Sequence, residues 1–218
     1  MINLFVGYDE REALAYHVFC QSVLEKSSQP VAFIPLHLGL LAGYKEKHRD
    51  GTNAFIYSRF LVPWMMKYHG WAIFADSDML VVEDIASIRP PEEAVAVVKH
   101  PDYKAWPRKY CGTPMESQNP SYPRKNWSSF IVWNCSHPDN KVLTPEFVEG
   151  KAGEYLHRFG WCNPEALDPR WNRLVNEQVF TDVFNYHFTL GVPGIPHYSK
   201  DQGSDLWKAA VGRVNRAA

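Results

Sequence analysis

The stretch that most constrains the fold is WAIFADSDMLVVED, residues 71–84, because two apolar runs are separated there by two carboxylates. Residues 71–75 form the first run and residues 80–82 the second, with Asp76 and Asp78 between them. A short apolar run bounded by polar residues is typical of a buried strand. We therefore predict that the two aspartates lie where a core strand ends.

Strand–helix–strand alternation over the first hundred residues predicts an α/β fold with a mostly parallel central sheet flanked by helices. The predicted strands are Ile2–Val6, Val31–Leu36, Ala72–Ala75, Ala94–Lys99, Ser129–Asn134 and Tyr186–Leu190. Helices are predicted at Glu12–Glu25 and Asn53–Tyr68, within Glu146–Phe159, and within Gly191–Ala218. Pro63 is expected to kink the second helix or to start a new turn there, because it cannot donate a backbone hydrogen bond.

Composition indicates one domain, since 218 residues with 45% apolar content are enough for a sizeable core. The formal charge of −1 gives no polybasic field, so nucleic acid is not expected as a partner. The four scattered cysteines form no CxxC pair, and no apolar run reaches the ~18 residues of a transmembrane segment. We therefore expect a cytoplasmic protein.

The carboxylate pair is expected to bind a divalent cation. In open α/β sheets ligands bind beyond the carboxyl ends of the strands, which is where Asp76 and Asp78 fall. Residues i and i+2 of an extended segment project to the same side, and two carboxylates roughly 5 Å apart at an effective dielectric constant of ~20 repel by about 3 kcal/mol. Mg²⁺-like ions bound to one or two carboxylates and substrate phosphates would compensate. The alternative is that Asp76 caps the following turn and Asp78 is solvated.

The loop after the first strand is a candidate nucleotide site. The backbone of Gly7 can approach a base, Tyr8 can stack on it and Asp9 can accept a hydrogen bond from it. The alternative is an ordinary turn in which Asp9 or Glu10 caps the next helix. Arg11 and Arg59 are candidates for contacting a diphosphate or for holding Asp76, since the guanidinium fork binds such groups bidentately. A solvated helix face is equally consistent with Arg11.

Residues 101–126 are rich in proline and include Lys109, Arg124 and Lys125. A long irregular segment inside a domain is more often a functional loop than a linker, and a basic loop could close over a diphosphate. A solvated run of charges is the alternative. Trp127, Ser128 and Ser129 follow, and an indole with small hydroxyls would suit an acceptor sugar, although Trp127 could equally be a core residue.

Four motifs together resemble the GT-A glycosyltransferases, and most closely the family 8 group of glycogenin and the lipopolysaccharide galactosyltransferases. They are residues 57–63 (YSRFLVP) before the Asp-Ser-Asp strand, residues 5–9 (FVGYD), residues 127–134 (WSSFIVWN) and residues 187–191 (HFTLG). The resemblance covers residues 2–191. It implies a nucleotide-binding half (residues 1–100), an acceptor half (residues 101–191) and a C-terminal loop and helix (residues 192–218).

The resemblance also implies an activity: transfer of a sugar from a nucleoside diphosphate sugar, expected to be UDP-linked, to a glycan or another hydroxyl acceptor, with retention of configuration. Asp76, Asp78 and His187 would bind Mn²⁺ or Mg²⁺, while Asp76 and Ser77 would also contact the donor.

One departure from the family pattern leaves the catalytic group unassigned. Residues 167–172 (LDPRWN) resemble the Leu-Pro-x-x-Trp-Asn stretch, but the preceding Asp-Gln-Asp motif is absent. Asn163, Glu165 and Glu177 are the candidates for a residue near the anomeric carbon. A sugar-binding protein without catalysis therefore stays open. A nucleotidyltransferase ranks lower, because no glycine-rich phosphate loop with a lysine follows the first strand.

Overall fold

A computed structural model describes residues 1–49 and 53–216. Its main sheet has the strand order β2-β1-β3-β8-β5-β9, and all of its strands are parallel except β8, which runs antiparallel between β3 and β5. In chain order the strands are β1 (Ile2–Gly7), β2 (Val31–Leu36), β3 (Trp71–Ala75), β4 (Met79–Val81), β5 (Val95–Val97), β6 (Arg108–Lys109), β7 (Ser117–Gln118), β8 (Phe130–Asn134), β9 (Glu165–Ala166), β10 (Arg173–Leu174) and β11 (Asn185–His187). The predicted α/β class with a mostly parallel sheet is confirmed.

Apolar cores cover both faces of the main sheet. Phe5 and Phe74 belong to a cluster on one face, whereas their neighbours Leu4 and Ile73 belong to a cluster on the other. Successive side chains of a strand point to opposite faces, so a strand buried on both sides needs an uninterrupted apolar sequence. This is why residues 71–75 contain no polar residue and why the first carboxylate follows the strand.

The helices are α1 (Ala13–Lys26), α2 (Val62–Met65), α3 (Pro145–Gly150), α4 (Gly153–His157) and α5 (Ser204–Val214). The prediction of one helix over Asn53–Tyr68 was wrong, because a 3-10 helix (Ser58–Leu61) leads into the single turn of α2. The helix predicted within Glu146–Phe159 is divided into α3 and α4, since residues 151 and 152 between them have extended backbone angles. Ala217 and Ala218, at the end of the predicted C-terminal segment, lie outside the described residues.

A small second sheet, β10-β11-β4, lies next to the first and completes the candidate site. β4 begins directly after Asp78, and β11 pairs with it antiparallel so that His187 lies opposite Met79. The amide of Phe188 also donates to the carbonyl of Asp78 at 2.9 Å. The pairing therefore carries His187, more than a hundred residues further along the chain, to the aspartate pair.

No helix among the described residues is long and apolar enough to cross a bilayer.

Candidate metal and donor-binding site

A cleft of about 260 Å³ opens at the edge of the main sheet where β3 ends and β8 begins. Asp76, Asp78 and His187 line it, and one ligand atom from each lies within 4.8 Å of the others. The amide of Asp76 donates to the carbonyl of Ser129 at 2.8 Å, which continues the β3–β8 pairing by one residue. The three predicted metal ligands are thus brought together by strand pairing.

The residues of this cluster fit a divalent cation. The Oδ1 atoms of Asp76 and Asp78 are buried, and each makes an ion pair rather than a well-aligned hydrogen bond with the described residues. Each side chain is only 13% exposed. Ion pairs offset the charges in part, since Arg59 Nη1 lies 2.9 Å from Asp76 Oδ1 and His187 Nε2 lies 3.3 Å from Asp78 Oδ1. Two carboxylate oxygens and one imidazole nitrogen are a donor set that Mn²⁺ or Mg²⁺ accepts.

Burial and the neighbouring charges shift the pKa values of this cluster. Burial raises the pKa of Asp76 to about 6, with Arg59 opposing the shift and Asp78 adding to it. Burial lowers the pKa of the His187 imidazole, but the charge and hydrogen bond of Asp78 together with the charges of Asp76 and Glu177 outweigh this effect, so that the net shift is upward. A cation that bound these atoms would compete with protons for them.

His187 is held in one orientation by a buried amide. Its Nδ1 lies 2.7 Å from Asn172 Oδ1, while Asn172 Nδ2 donates to Ser129 Oγ at 2.9 Å and to the Asn126 carbonyl at 3.1 Å. Because the Asn172 amide nitrogen is committed to two acceptors, its oxygen faces the ring, and Nδ1 carries the proton. The lone pair of Nε2 is then directed to the side of Asp78. Metal-binding histidines commonly have such a partner on the second ring nitrogen.

Arg59 lies where it can hold Asp76 in place. Its guanidinium is 4% exposed, and besides the ion pair with Asp76 it donates from Nη1 to the Ser128 carbonyl at 2.8 Å and from Nε to the Ile56 carbonyl at 2.9 Å. The ring of Phe74 lies 4.8 Å from Arg59 Cζ. Of the two roles predicted for Arg59, these contacts favour holding Asp76 over contacting a diphosphate.

Three basic residues of the loop over residues 101–126 are predicted to close over a diphosphate, and two of them line the cleft. Lys109, on the β6–β7 hairpin, has a lowered pKa because of burial, and Asp78 opposes that shift. Lys125 donates from Nζ to Asn119 Oδ1 at 2.5 Å and to the Pro120 carbonyl at 2.7 Å, and burial lowers its pKa to about 8. Arg124 instead donates to the Arg158 carbonyl, and its guanidinium lies over the Trp127 ring.

A second cleft, of about 500 Å³, lies beyond the carboxyl ends of β1 and β2 and shares Asn53 with the first. The predicted residues Tyr8, Asp9 and Arg11 line it. Asp9 caps the 3-10 helix Glu10–Glu12 and accepts a hydrogen bond from the Ala54 amide at 3.0 Å, and Arg11 Nη2 lies 2.6 Å from it. Asp9 therefore caps a helix and lines a cleft at once.

Gly7 serves packing rather than lining either cleft. A Cβ at this position would lie 2.2 Å from the ring of Phe55, so the close approach of that ring requires glycine.

Several predicted site residues lie outside the clefts. Ser77 is buried. Trp127 packs against the core cluster that contains Phe74, in agreement with the alternative prediction that it is a core residue. Ser128 and Ser129 do line the cleft. Asn163 is exposed and lies outside the cleft. Glu165 accepts a hydrogen bond from the amide of Glu92, which precedes β5, so Glu165 lies at the opposite edge of the main sheet from the metal cluster. The structure does not support a catalytic role for Asn163 or Glu165.

Glu177 lies behind the cleft rather than on its surface. Tyr103 Oη donates to Glu177 Oε1 at 2.5 Å, and Thr189 Oγ1 donates to Oε2. Tyr103 and Thr189 themselves line the cleft. The position of Glu177 therefore favours anchoring the loop of residues 101–126 to the segment after His187, in place of the predicted catalytic contact.

Sequence reasoning missed three residues at the site. Asn172 was noted only as part of a motif, and its contact with His187 carries no local signal. His157, at the end of α4, lines the cleft with Nδ1 2.7 Å from Ser128 Oγ. Glu12 lies near the cluster, and burial together with the charge of Asp78 raises its pKa to about 7.

Comparison with solved structures defines the class of fold. The chain superposes on the bifunctional glycosyltransferase WbbM (TM-score 0.63, 12% identity, 96% of this chain but only 49% of that one) and on the galactosyltransferase LgtC in complex with donor and acceptor sugar analogues (TM-score 0.62, 12% identity, 97% and 96%). It also superposes on mouse xyloside xylosyltransferase 1 (TM-score 0.52, 14% identity, 88% and 99%). The protein therefore has a GT-A glycosyltransferase fold of the family 8 type.

Sequence comparison places the chain more narrowly. It is 34% identical to Protein CDI of Arabidopsis thaliana over 236 residues, which cover 98% of this chain and 87% of that protein. The chain belongs to the family of Protein CDI. No family model matches it.

Proposed function

We propose that this protein is a metal-dependent glycosyltransferase that moves a sugar from a nucleoside diphosphate sugar, with UDP as the expected nucleotide, to a hydroxyl acceptor. The observation that carries the proposal is the cluster of Asp76, Asp78 and His187, in which two buried carboxylate oxygens and an imidazole nitrogen lie within 4.8 Å of one another. The GT-A fold supports the reaction class.

The order of groups along the sheet edge supports a nucleotide-sugar donor. Tyr8 and Asp9 follow β1, Asp76 follows β3, and Ser128 precedes β8, which is the next strand across. Neighbouring strands lie about 4.8 Å apart, so these positions form a row. A nucleoside, its diphosphate and the attached sugar would occupy the row in that order.

The residues of the cleft would bind and orient the donor. A divalent cation on Asp76, Asp78 and His187 would act as a Lewis acid and offset the negative charge of the leaving diphosphate. Arg59 keeps Asp76 in position through an ion pair at 2.9 Å. Lys109 lines the same cleft and brings a positive charge to the diphosphate, where such a charge stabilises the transition state more than the bound donor. Retention of configuration is part of the proposal and rests on the family resemblance alone.

Calorimetric titration tests the proposal directly. UDP, and then GDP, would be titrated into the protein with Mn²⁺ and again with EDTA. We expect one of the two nucleotides to bind only with Mn²⁺, and Asp78→Asn to abolish that binding. Asp205→Asn is the matched control, because Asp205 is exposed at the start of α5 and lies outside both clefts. Metal-independent binding, or undiminished binding by Asp78→Asn, would contradict the metal-dependent site.

One observation favours a second candidate, a sugar-nucleotide-binding protein without turnover. Among the described residues that line the cleft, the only carboxylates are those of Asp76 and Asp78. A separate acidic group that could act on the anomeric carbon or on the acceptor hydroxyl is therefore not supplied by this part of the chain. Slow hydrolysis of the donor in the presence of Mn²⁺ distinguishes the two functions, because an active transferase site usually passes some sugar to water.

A further inference from the structure

The floor of the cleft next to the metal cluster carries a second pair of polar side chains. Ser128 Oγ lies 2.7 Å from His157 Nδ1, and both residues are nearly fully buried. His157 reaches this place because α4 ends there, after the extended residues 151 and 152. The pair joins a loop before β8 to a helix that is distant in sequence.

His157 has an unused hydrogen-bonding atom. His157 is only 7% exposed and lines the cleft. Its Nε2 atom has no hydrogen-bond partner among the described residues. The rings around it are those of Tyr57, Phe60 and Tyr122, with centroids 5.3–6.2 Å away. A buried polar atom left without a partner destabilises the folded protein. A ligand that supplied the missing partner would remove this destabilisation.

The imidazole of His157 is uncharged. Burial, with smaller contributions from the nearby Arg59 and His48 side chains, lowers its pKa to about 3. A neutral imidazole whose Nδ1 accepts from a serine hydroxyl presents an N–H at Nε2, whereas the opposite tautomer presents a lone pair there. Either form matches a hydroxyl group, which can donate or accept, and neither would neutralise an anion.

The Ser128–His157 pair also lies on the β8 side of the metal cluster, where the proposed function places the sugar of the donor. The Ser128 carbonyl accepts from Arg59 Nη1, and the same nitrogen is ion-paired with Asp76. Only one guanidinium therefore separates the carboxylate at the end of β3 from the start of the Ser128–His157 pair. The second cleft, which Tyr8 and Asp9 line, lies on the other side of β3, at the carboxyl ends of β1 and β2.

We propose that Ser128 and His157 form the subsite for the transferred sugar, with His157 Nε2 hydrogen-bonded to one of its hydroxyl groups. This assignment rests on the proposed function, because it takes the bound molecule to be a nucleoside diphosphate sugar. His157 is then a specificity-determining residue that contacts the substrate through a neutral side chain.

Paired substitutions of His157 test the assignment. Asparagine places a polar atom near the position of Nδ1, and glutamine places one near the position of Nε2. His157→Asn should therefore keep the contact with Ser128 but lose the contact with the sugar, and His157→Gln should keep the sugar contact. His197→Asn, at an exposed histidine outside the cleft, is the control.

The measured quantity is the affinity gained when a sugar is attached to the nucleotide. UDP, UDP-glucose, UDP-galactose and UDP-glucuronate, with GDP and GDP-mannose in parallel, would be titrated into each variant with Mn²⁺, and thermal unfolding would check the fold. We expect wild type to bind a neutral nucleotide sugar more tightly than the bare nucleotide. His157→Asn should reduce that gain about tenfold and leave binding of the bare nucleotide unchanged, and His157→Gln should restore part of it.

The outcomes separate this assignment from the proposed function. If wild type binds neither UDP nor GDP, the proposed function fails and the sugar subsite fails with it. If a bare nucleotide binds but no sugar adds affinity, or if His157→Asn keeps the full gain, only the sugar subsite is refuted.

Discussion

Asn172→Ala isolates the effect of positioning one metal ligand. Asn172 is fully buried, and its Oδ1 is the partner of His187 Nδ1 at 2.7 Å. Without this acceptor the ring loses the contact that fixes its tautomer and its orientation. Residues of this kind usually contribute 10- to 100-fold to metal affinity. We therefore expect the Mn²⁺ dissociation constant to rise by about 10- to 100-fold, or about 1.4–2.8 kcal/mol.

The same substitution also weakens the fold, and the two effects must be separated. Asn172 Nδ2 donates to Ser129 Oγ and to the Asn126 carbonyl, so the variant loses three buried hydrogen bonds at about 1 kcal/mol each. Asn185→Ala is the matched control. Asn185 is equally buried and hydrogen-bonds to the Trp171 carbonyl at 3.0 Å, with no hydrogen bond to the His187 ring.

Mn²⁺ titration by calorimetry and urea unfolding without metal measure the two effects independently. Asn185→Ala should lose stability and keep the wild-type Mn²⁺ affinity, whereas Asn172→Ala should lose both. If Asn172→Ala bound Mn²⁺ as tightly as wild type, Asn172 would not position a metal ligand. If Asn185→Ala lost affinity to the same degree, the weaker binding would follow from general loosening of the buried interior.

Two further predictions concern Asp76 and Arg59. The folded-state pKa of Asp76 is raised from 3.8 to about 6, so the folded protein loses stability as pH rises through this interval and the buried carboxyl group ionises. A cation that binds the carboxylate removes this loss. The increase in unfolding temperature caused by Mn²⁺ should thus be larger at about pH 7.5 than at about pH 5.5, and equal increases would contradict this account. Arg59→Met leaves Asp76 without its buried partner and should cost about 3–5 kcal/mol in urea unfolding. Arg108→Met, at an exposed ion pair with Glu116, should cost less than about 1 kcal/mol, and similar losses in the two variants would refute the role of burial.

The central sheet and the metal cluster could be predicted because their signals are local or fixed by topology. An apolar run followed by Asp76 and Asp78 marks the end of a doubly buried strand, and that end is where α/β proteins bind ligands. His187 needed the family resemblance, since nothing in residues 185–187 predicts that they pair with the strand after Asp78.

The rest could not be predicted because it depends on contacts between residues distant in sequence. Asn172 lies 15 residues from His187 and 43 from Ser129, and no periodicity records such a network. The prediction of one helix over residues 53–68 failed because the buried residues of this segment pack into the core as a 3-10 helix followed by the single turn of α2. Tertiary packing overrode local propensity there, which is a weak determinant in short segments.

Charge balance in the cleft connects the metal cluster to the proposed leaving group. Arg59, Lys109 and Lys125 line the cleft with Asp76 and Asp78, so the described lining carries one positive charge in excess. A nucleoside diphosphate sugar has two negative charges, which a divalent cation on the cluster would match. Transfer of the sugar leaves a third negative charge on the diphosphate, and the excess positive charge of the lining then balances it. The site would therefore be closest to neutral after the bond to the sugar has broken, which is the direction in which fixed charges favour departure of the leaving group.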